Sequence, residues 1–163
     1  MQIWTIEDQE NFVRAARLSA NFLAILAGLW LIEDIGLLWF NLTHARDLIS
    51  LATLLTLIIF IRKFWREPKL LSYGWRLREL CGDFQDEYLR SRFQSATTLA
   101  FQLMMMVALL GFFIADLTKK YGEPSWISHK MVPLLTVFIG NLSFYLSLRN
   151  VLDDQDDTAE ESQ

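Results

Sequence analysis

The sequence predicts an all-α integral membrane bundle of four transmembrane helices, with an N-terminal amphipathic helix and a third helix extended into the cytoplasm. Three observations predict it. Apolar residues make up 53% of the 163-residue chain and fall in four blocks, 19–40, 48–61, 97–117 and 131–148. The first and third blocks reach the ~20 residues that a spanning helix needs, and the fourth is close to it. Block 97–117 carries no charge before Asp116, which does not suit a helix that must face water. Finally, the bases cluster on one side of the expected topology.

Residues 1–18 read as an amphipathic helix, cytoplasmic or interfacial. Thr5 and Asp8 resemble a capping box, and Glu7, Asp8 and Glu10 suit a helix N-terminus. Ile6, Phe12, Val13 and Ala16 supply an apolar face, and Arg14 and Arg17 precede the first span. The transmembrane domain is expected over 19–150, with a cytoplasmic connector at 62–96. The tail 151–163 holds six acids and no base, so it is expected to be disordered. Without it, the net charge of −4 becomes 15 bases against 13 acids.

The first span contains Glu33 and Asp34 in the run Phe22–Phe40. Eleven Leu, Ile and Phe residues in that run favour insertion by roughly 3 to 7 kcal/mol, against about 5 to 7 kcal/mol for two central charges. The balance is near zero. The helix therefore relies on an interfacial position for the carboxylates, on their entering uncharged, or on partner helices. Ala20, Ala24 and Gly28 form a stripe of small residues suited to close packing. At 100° per residue, Asp34 shares a face with Ala20 and Ala27, while Glu33 lies nearer Leu26 and Trp30.

The short connector 41–47 makes an antiparallel hairpin of spans one and two. Span two is short unless Phe64 and Trp65 extend it past Arg62 and Lys63, whose stems can snorkel. Its Ser50, Thr53 and Thr56 are expected to bond backward along their own helix. Connector 62–96 holds eight of the fifteen bases. The positive-inside rule places it in the cytoplasm, together with both termini. Pro68 and Gly74 break this connector, and Asp83 is expected to cap a helix beginning at Phe84 and running to about 117. In span three, Met104–Met106 fill irregular packing. Trp126 is an interface anchor for the following loop. Span four carries Pro133 in its first turn and Asn141, expected to bond across helices. No cleavable signal peptide is expected, since residues 1–17 lack a basic segment followed by an apolar core.

Two resemblances follow from particular residues. The stretch GDFQDEYLRSRFQSATTLAF, Gly82–Phe101, resembles a segment of small uncharacterised bacterial multi-pass membrane proteins, with Tyr88 where those proteins place Arg. It implies a multi-pass fold and carries no activity. The stretch IEDIG, Ile32–Gly36, is similar to the first span of small multidrug-resistance transporters. That likeness implies cation or proton coupling through Glu33 in an oligomer. The long connector and the extended termini depart from that family.

The expected topology puts Glu33, Asp34 and Asp116 with His44 and His129 on the outer side, as a candidate ion or proton site. A mixed His/carboxylate metal site is the same arrangement read differently. The structural alternatives are carboxylates paired with Lys119 or Lys120, or a first span shifted until Glu33 and Asp34 reach the interface. On the cytoplasmic side, Arg62, Lys63, Arg66 and Lys69 interleave with aromatics and suit a protein partner or anionic lipid headgroups. The single cysteine, Cys81, excludes an intramolecular disulfide and a cysteine-based metal cluster. No nucleophile–base pair or quinone-linked Cys-x-x-Cys occurs, so neither enzyme activity nor a cofactor is expected. The expected role is a non-enzymatic subunit, scaffold or regulator in a bacterial inner membrane. Its partners are the lipid bilayer, a second copy or another membrane protein, and a cytoplasmic protein. Acids dilute the basic connector, so nucleic acid is not expected. The alternative is a small oligomeric cation- or proton-coupled transporter or channel using Glu33 and Asp34.

Overall fold

The structure, a computed structural model, describes residues 6–40, 43–66, 84, 86–121 and 130–160. Among the described residues it contains four helices and no strand. They are α1 (Ile6–Phe40), α2 (Thr43–Arg66), α3 (Glu87–Tyr121) and α4 (Met131–Glu160). Three stretches are long and apolar enough to cross a membrane: Asp8–Leu37, Glu87–Leu117 and Met131–Arg149. In α2 the charge-free stretch Leu48–Ile61 rises about 21 Å at 1.5 Å per residue, short of the ~30 Å hydrocarbon core.

Helix α1 is continuous through the junction at residues 18 and 19. No proline or glycine lies between Ile6 and Ala27, so the helix propagates from the polar segment into the apolar one without a new nucleus. Phe12 and Val13, the apolar face of that first segment, are buried in the protein.

The start of α3 differs from expectation. Asp86, not Asp83, is the N-cap. Its Oδ1 accepts hydrogen bonds from the backbone N–H of Tyr88 (2.8 Å) and Leu89 (3.3 Å), and its carbonyl accepts one from Arg90 N–H (2.9 Å). The Asp86 N–H in turn donates to Oε1 of the buried Gln9 on α1, at 3.3 Å. That long-range bond ties the start of α3 to α1, while the Asp86 carboxylate caps the helix. Asp83 lies outside the described residues.

The acidic tail also differs. Residues 151–160 continue α4 as helix rather than leaving it disordered. No proline or glycine interrupts this stretch, and extending an existing helix avoids the cost of nucleation.

The packing order across the bundle is α2, α1, α4, α3. Two antiparallel hairpins build it. In the first, Phe22 of α1 stacks on Phe60 of α2 with centroids 3.9 Å apart. In the second, α3 and α4 approach closely at two glycines. A Cβ at Gly111 would overlap Val132, and one at Gly140 would overlap Met104. The hairpins join along α1 and α4. There Ala20, Ala24, Ala27 and Leu31 are buried, and Gly28 faces the Phe138 ring. Small residues allow such contact without a hydrophobic drive between helices.

One end of the bundle has its own core. Phe12, Val13, Phe93, Ala96 and Leu148 of α1, α3 and α4 form a buried cluster with Phe84, which precedes α3, backed by Ala16 and Phe144. Phe93 is its hub, packing on Phe84 (5.2 Å), Phe144 (5.6 Å) and Phe12 (6.0 Å). Offset and edge contacts of this kind add to the apolar area buried. Helix α1 starts at this platform end, α3 starts there, and α4 runs out past it. The opposite, hairpin end holds the α1–α2 connection and the start of α4.

Phe93→Ala is expected to cost about 3 to 5 kcal/mol by leaving a cavity in the cluster. Gly140→Leu is expected to cost about 1 to 3 kcal/mol by overpacking α3 against α4. Unfolding midpoints of the detergent-solubilised protein measure both, and equal, negligible shifts would contradict this packing.

Candidate functional site

The helix ends bring four charges together at the hairpin end. Glu33 and Asp34 sit about two turns before the end of α1. Arg46 lies in the first turn of α2, and Lys130 immediately precedes α4. The Lys130 carbonyl accepts the Leu134 N–H at 3.1 Å, so Lys130 occupies the N-cap position. Pro133 follows in the first turn, where its missing N–H deprives no partner. An open cavity of about 730 Å³ is lined by all four charged residues together with Trp30 and Pro133.

This arrangement has an electrostatic logic. A cation at a helix N-terminus is opposed by the positive end of the helix dipole. Arg46 and Lys130 both stand at such ends. The two carboxylates of α1 face the same cavity and compensate them. Arg46 Nε lies 3.7 Å from Glu33 Oε1, with the Arg46 side chain 71% exposed and that of Glu33 25%. At that distance and exposure the pair contributes at most about 1 kcal/mol. Asp34 is held differently. Its Oδ2 is buried and has no hydrogen-bond partner among the described residues.

Of the five residues expected to form the outer site, the structure brings two, Glu33 and Asp34, into this cavity. Asp116 is exposed on α3 and does not line it, because α4 stands between α3 and α1 in the packing order. His44 falls in the first turn of α2, where only the backbone is described, and His129 lies outside the described residues. No group of three or more His, Cys, Asp or Glu able to hold a metal occurs among the described residues. For Glu33 the ion-pair partner is Arg46. The side chains of Lys119 and Lys120, the expected partners, are outside the described set.

The polar residues along the helices bond within their own helix. Asn141 Nδ2 donates to the Val137 carbonyl at 2.8 Å, which corrects the expected cross-helix bond: the carbonyl one turn back is already within reach. Thr56 donates to Ala52, Thr97 to Phe93 and Thr136 to Val132, each at 2.8 Å, and Ser143 to Gly140 at 3.0 Å. Thr53 is different, with a buried Oγ1 that has no partner among the described residues.

At the platform end, Arg62 and Lys63 are exposed on the last turns of α2. Arg66 closes that helix with only its backbone described, and Lys69 lies outside the described residues. A second basic group was not singled out from the sequence. Arg14 and Arg17 of α1 line one cavity with Lys63 of α2 and Tyr145 of α4. The i,i+3 spacing of Arg14 and Arg17 was the available signal; which helix they would face was not.

No known family model matches the chain, and no curated protein or solved structure matches it.

Asp34→Leu removes an acceptor that the described residues leave unbonded. It is expected to stabilise the solubilised protein by about 1 kcal/mol or more. A double-mutant cycle of Glu33→Gln and Arg46→Gln is expected to give a coupling of at most about 1 kcal/mol. Destabilisation by Asp34→Leu would mean that the carboxylate is held by a partner.

Proposed function

We propose that the chain is a non-enzymatic membrane protein of the bacterial inner membrane, acting as a subunit, scaffold or regulator of a membrane-associated complex. In this reading all four helices span the bilayer. Arg62, Lys63 and Trp65 carry the end of α2 to the interface by snorkelling. The platform end and both termini are cytoplasmic.

One observation carries the reading. The helices at the two edges of the row, α2 and α3, present apolar faces that the described residues do not cover. Leu48, Leu51, Leu55 and Ile59 of α2 are exposed, as are Phe101, Met106, Leu110 and Phe113 of α3. Only 11% of the most apolar stretch of α3 is buried in the protein. Patches of this extent mark contact with lipid or with another membrane protein. Lipid tails satisfy them, and so does a second copy or a different membrane subunit at either edge. The platform end supports the second half of the reading. Helices α1, α3 and α4 share a core at that end. This offers a rigid surface, with the acidic end of α4, to a cytoplasmic partner.

Two features weigh against a cation pathway. The hydroxyls of Thr56, Thr97, Thr136 and Ser143 and the Asn141 amide are turned back onto their own helices. The cavity at the hairpin end balances two acids with two bases. One specific observation favours the alternative, a small cation- or proton-coupled oligomeric transporter: Asp34 lines that cavity and its buried Oδ2 has no hydrogen-bond partner among the described residues.

Mass measurement and pull-down from mild detergent, with and without residues 151–163, test the first reading. The expected result is an assembly larger than one chain, or a defined bound protein. A monomer with nothing bound in either sample contradicts it. Proteoliposome flux with Glu33→Gln and Asp34→Asn tests the alternative. The expected result is no carboxylate-dependent flux. Flux that is lost in either variant at unchanged protein abundance would transfer the assignment to the transporter.

A further inference from the structure

Arg14, Arg17 and Lys63 converge from two helices on a cavity of about 240 Å³, whose wall is completed by Leu18, Asn21 and Tyr145. Three cations line it, and no carboxylate lines it among the described residues. Arg17 is half-buried, and its guanidinium lies over the Tyr145 ring of α4, 5.6 Å from the centroid, a cation–π contact that holds it in place. Arg14 and Lys63 are exposed and free to adjust around a ligand. The Asn21 amide and the Tyr145 hydroxyl add neutral donors.

The level of this cavity along the bundle is informative. Arg17 precedes the stacked Phe22 by five residues, about 7.5 Å, and Lys63 follows its stacking partner Phe60 by three, about 4.5 Å. The cavity thus lies just beyond the Phe22–Phe60 contact. There the apolar run of α1 begins and the charge-free run of α2 ends at Ile61. In a bilayer this is the level of the phosphate groups. Guanidinium groups match phosphate oxygens geometrically. The volume is roughly eight times the ~30 Å³ share of one water, enough for a phosphate and part of its ester.

We infer that Arg14, Arg17, Lys63, Asn21 and Tyr145 form a binding site for a phosphate-bearing anion at the platform-side membrane boundary. The inference rests on the membrane placement proposed above. An anionic phospholipid headgroup and a soluble phosphate share the chemistry, and the two sources separate experimentally. A phospholipid in the site would tie α1, α2 and α4 together where the two hairpins meet.

The test uses the full chain, purified in detergent. Its melting temperature is followed while titrating phosphatidylglycerol, phosphatidylcholine or inorganic phosphate. The wild type is expected to be stabilised by phosphatidylglycerol and not by phosphatidylcholine. Arg14→Gln/Arg17→Gln/Lys63→Gln is expected to weaken the apparent affinity by at least about tenfold, on the scale of three cations near a membrane surface. Arg14→Gln/Lys63→Gln changes only exposed side chains, so it tests the site without disturbing the Arg17–Tyr145 contact. It is expected to show a smaller loss in the same direction, and Arg92→Gln on α3 none. Stabilisation by inorganic phosphate at comparable affinity, lost in the same variants, would support the site and assign it to a soluble phosphate. Identical responses of the wild type and both site variants to every ligand would overturn it. Co-flotation with phosphatidylcholine vesicles separates the two failures. Protein that fails to float removes the membrane placement, whereas protein that floats with no variant-dependent response removes only the site.

Discussion

The apolar faces of α2 and α3 set the terms for the rest of this molecule. Leu, Ile, Phe and Met residues cover the outward sides of both helices, and the described residues fold nothing over them. In water such surface is driven out of contact with solvent at roughly 25 cal/mol per Å². Within hydrocarbon that drive vanishes, and the remaining demand is that each backbone polar group be satisfied locally. Helices meet that demand. In the membrane placement proposed above, packing rests on close approach rather than on apolar burial: Gly28 under Phe138, Gly111 under Val132 and Gly140 under Met104.

Polarity is accordingly sorted toward the ends. The platform end gathers Phe12, Phe84, Phe93 and Leu148 into the one place where the described chain builds a water-soluble kind of core, secured by the Gln9–Asp86 bond. The hairpin end gathers Glu33, Asp34, Arg46 and Lys130. Their balance matters more than any single pair. The cations stand at helix N-termini where the dipole opposes them, and the carboxylates sit in an apolar helix where insertion opposes them. Each set lowers the cost of the other. This is a physical account of how two adjacent acids persist in the run Phe22–Phe40 without requiring transport chemistry.

Much of this architecture was legible in the sequence because apolar periodicity and helix breakers act locally. The four helices and the shared face of Ala20, Ala27 and Asp34 follow from spacing. What was not legible depends on which helices become neighbours. The order α2, α1, α4, α3 separates Asp116 from Asp34, although both lie toward the same end of the bundle. The contact of the Asp86 cap with Gln9 joins residues 77 apart in the chain. The meeting of Arg14, Arg17 and Lys63 requires α1 and α2 to pack in one particular register. The helical end of α4 was missed for a different reason: composition describes an isolated segment, whereas this one extends a helix already formed.

The central claim is that the bilayer covers α2 and α3 directly. Nitroxide side chains placed singly along Leu48–Ile61 and Leu99–Phe113, in Cys81→Ser protein reconstituted in vesicles, measure that most directly through accessibility to oxygen and to a water-soluble nickel chelate. The account predicts high oxygen and low nickel accessibility on the exposed faces of both helices, with depth rising to a maximum near the middle of each stretch. Nickel accessibility as high as that of a soluble protein surface along either helix would contradict it.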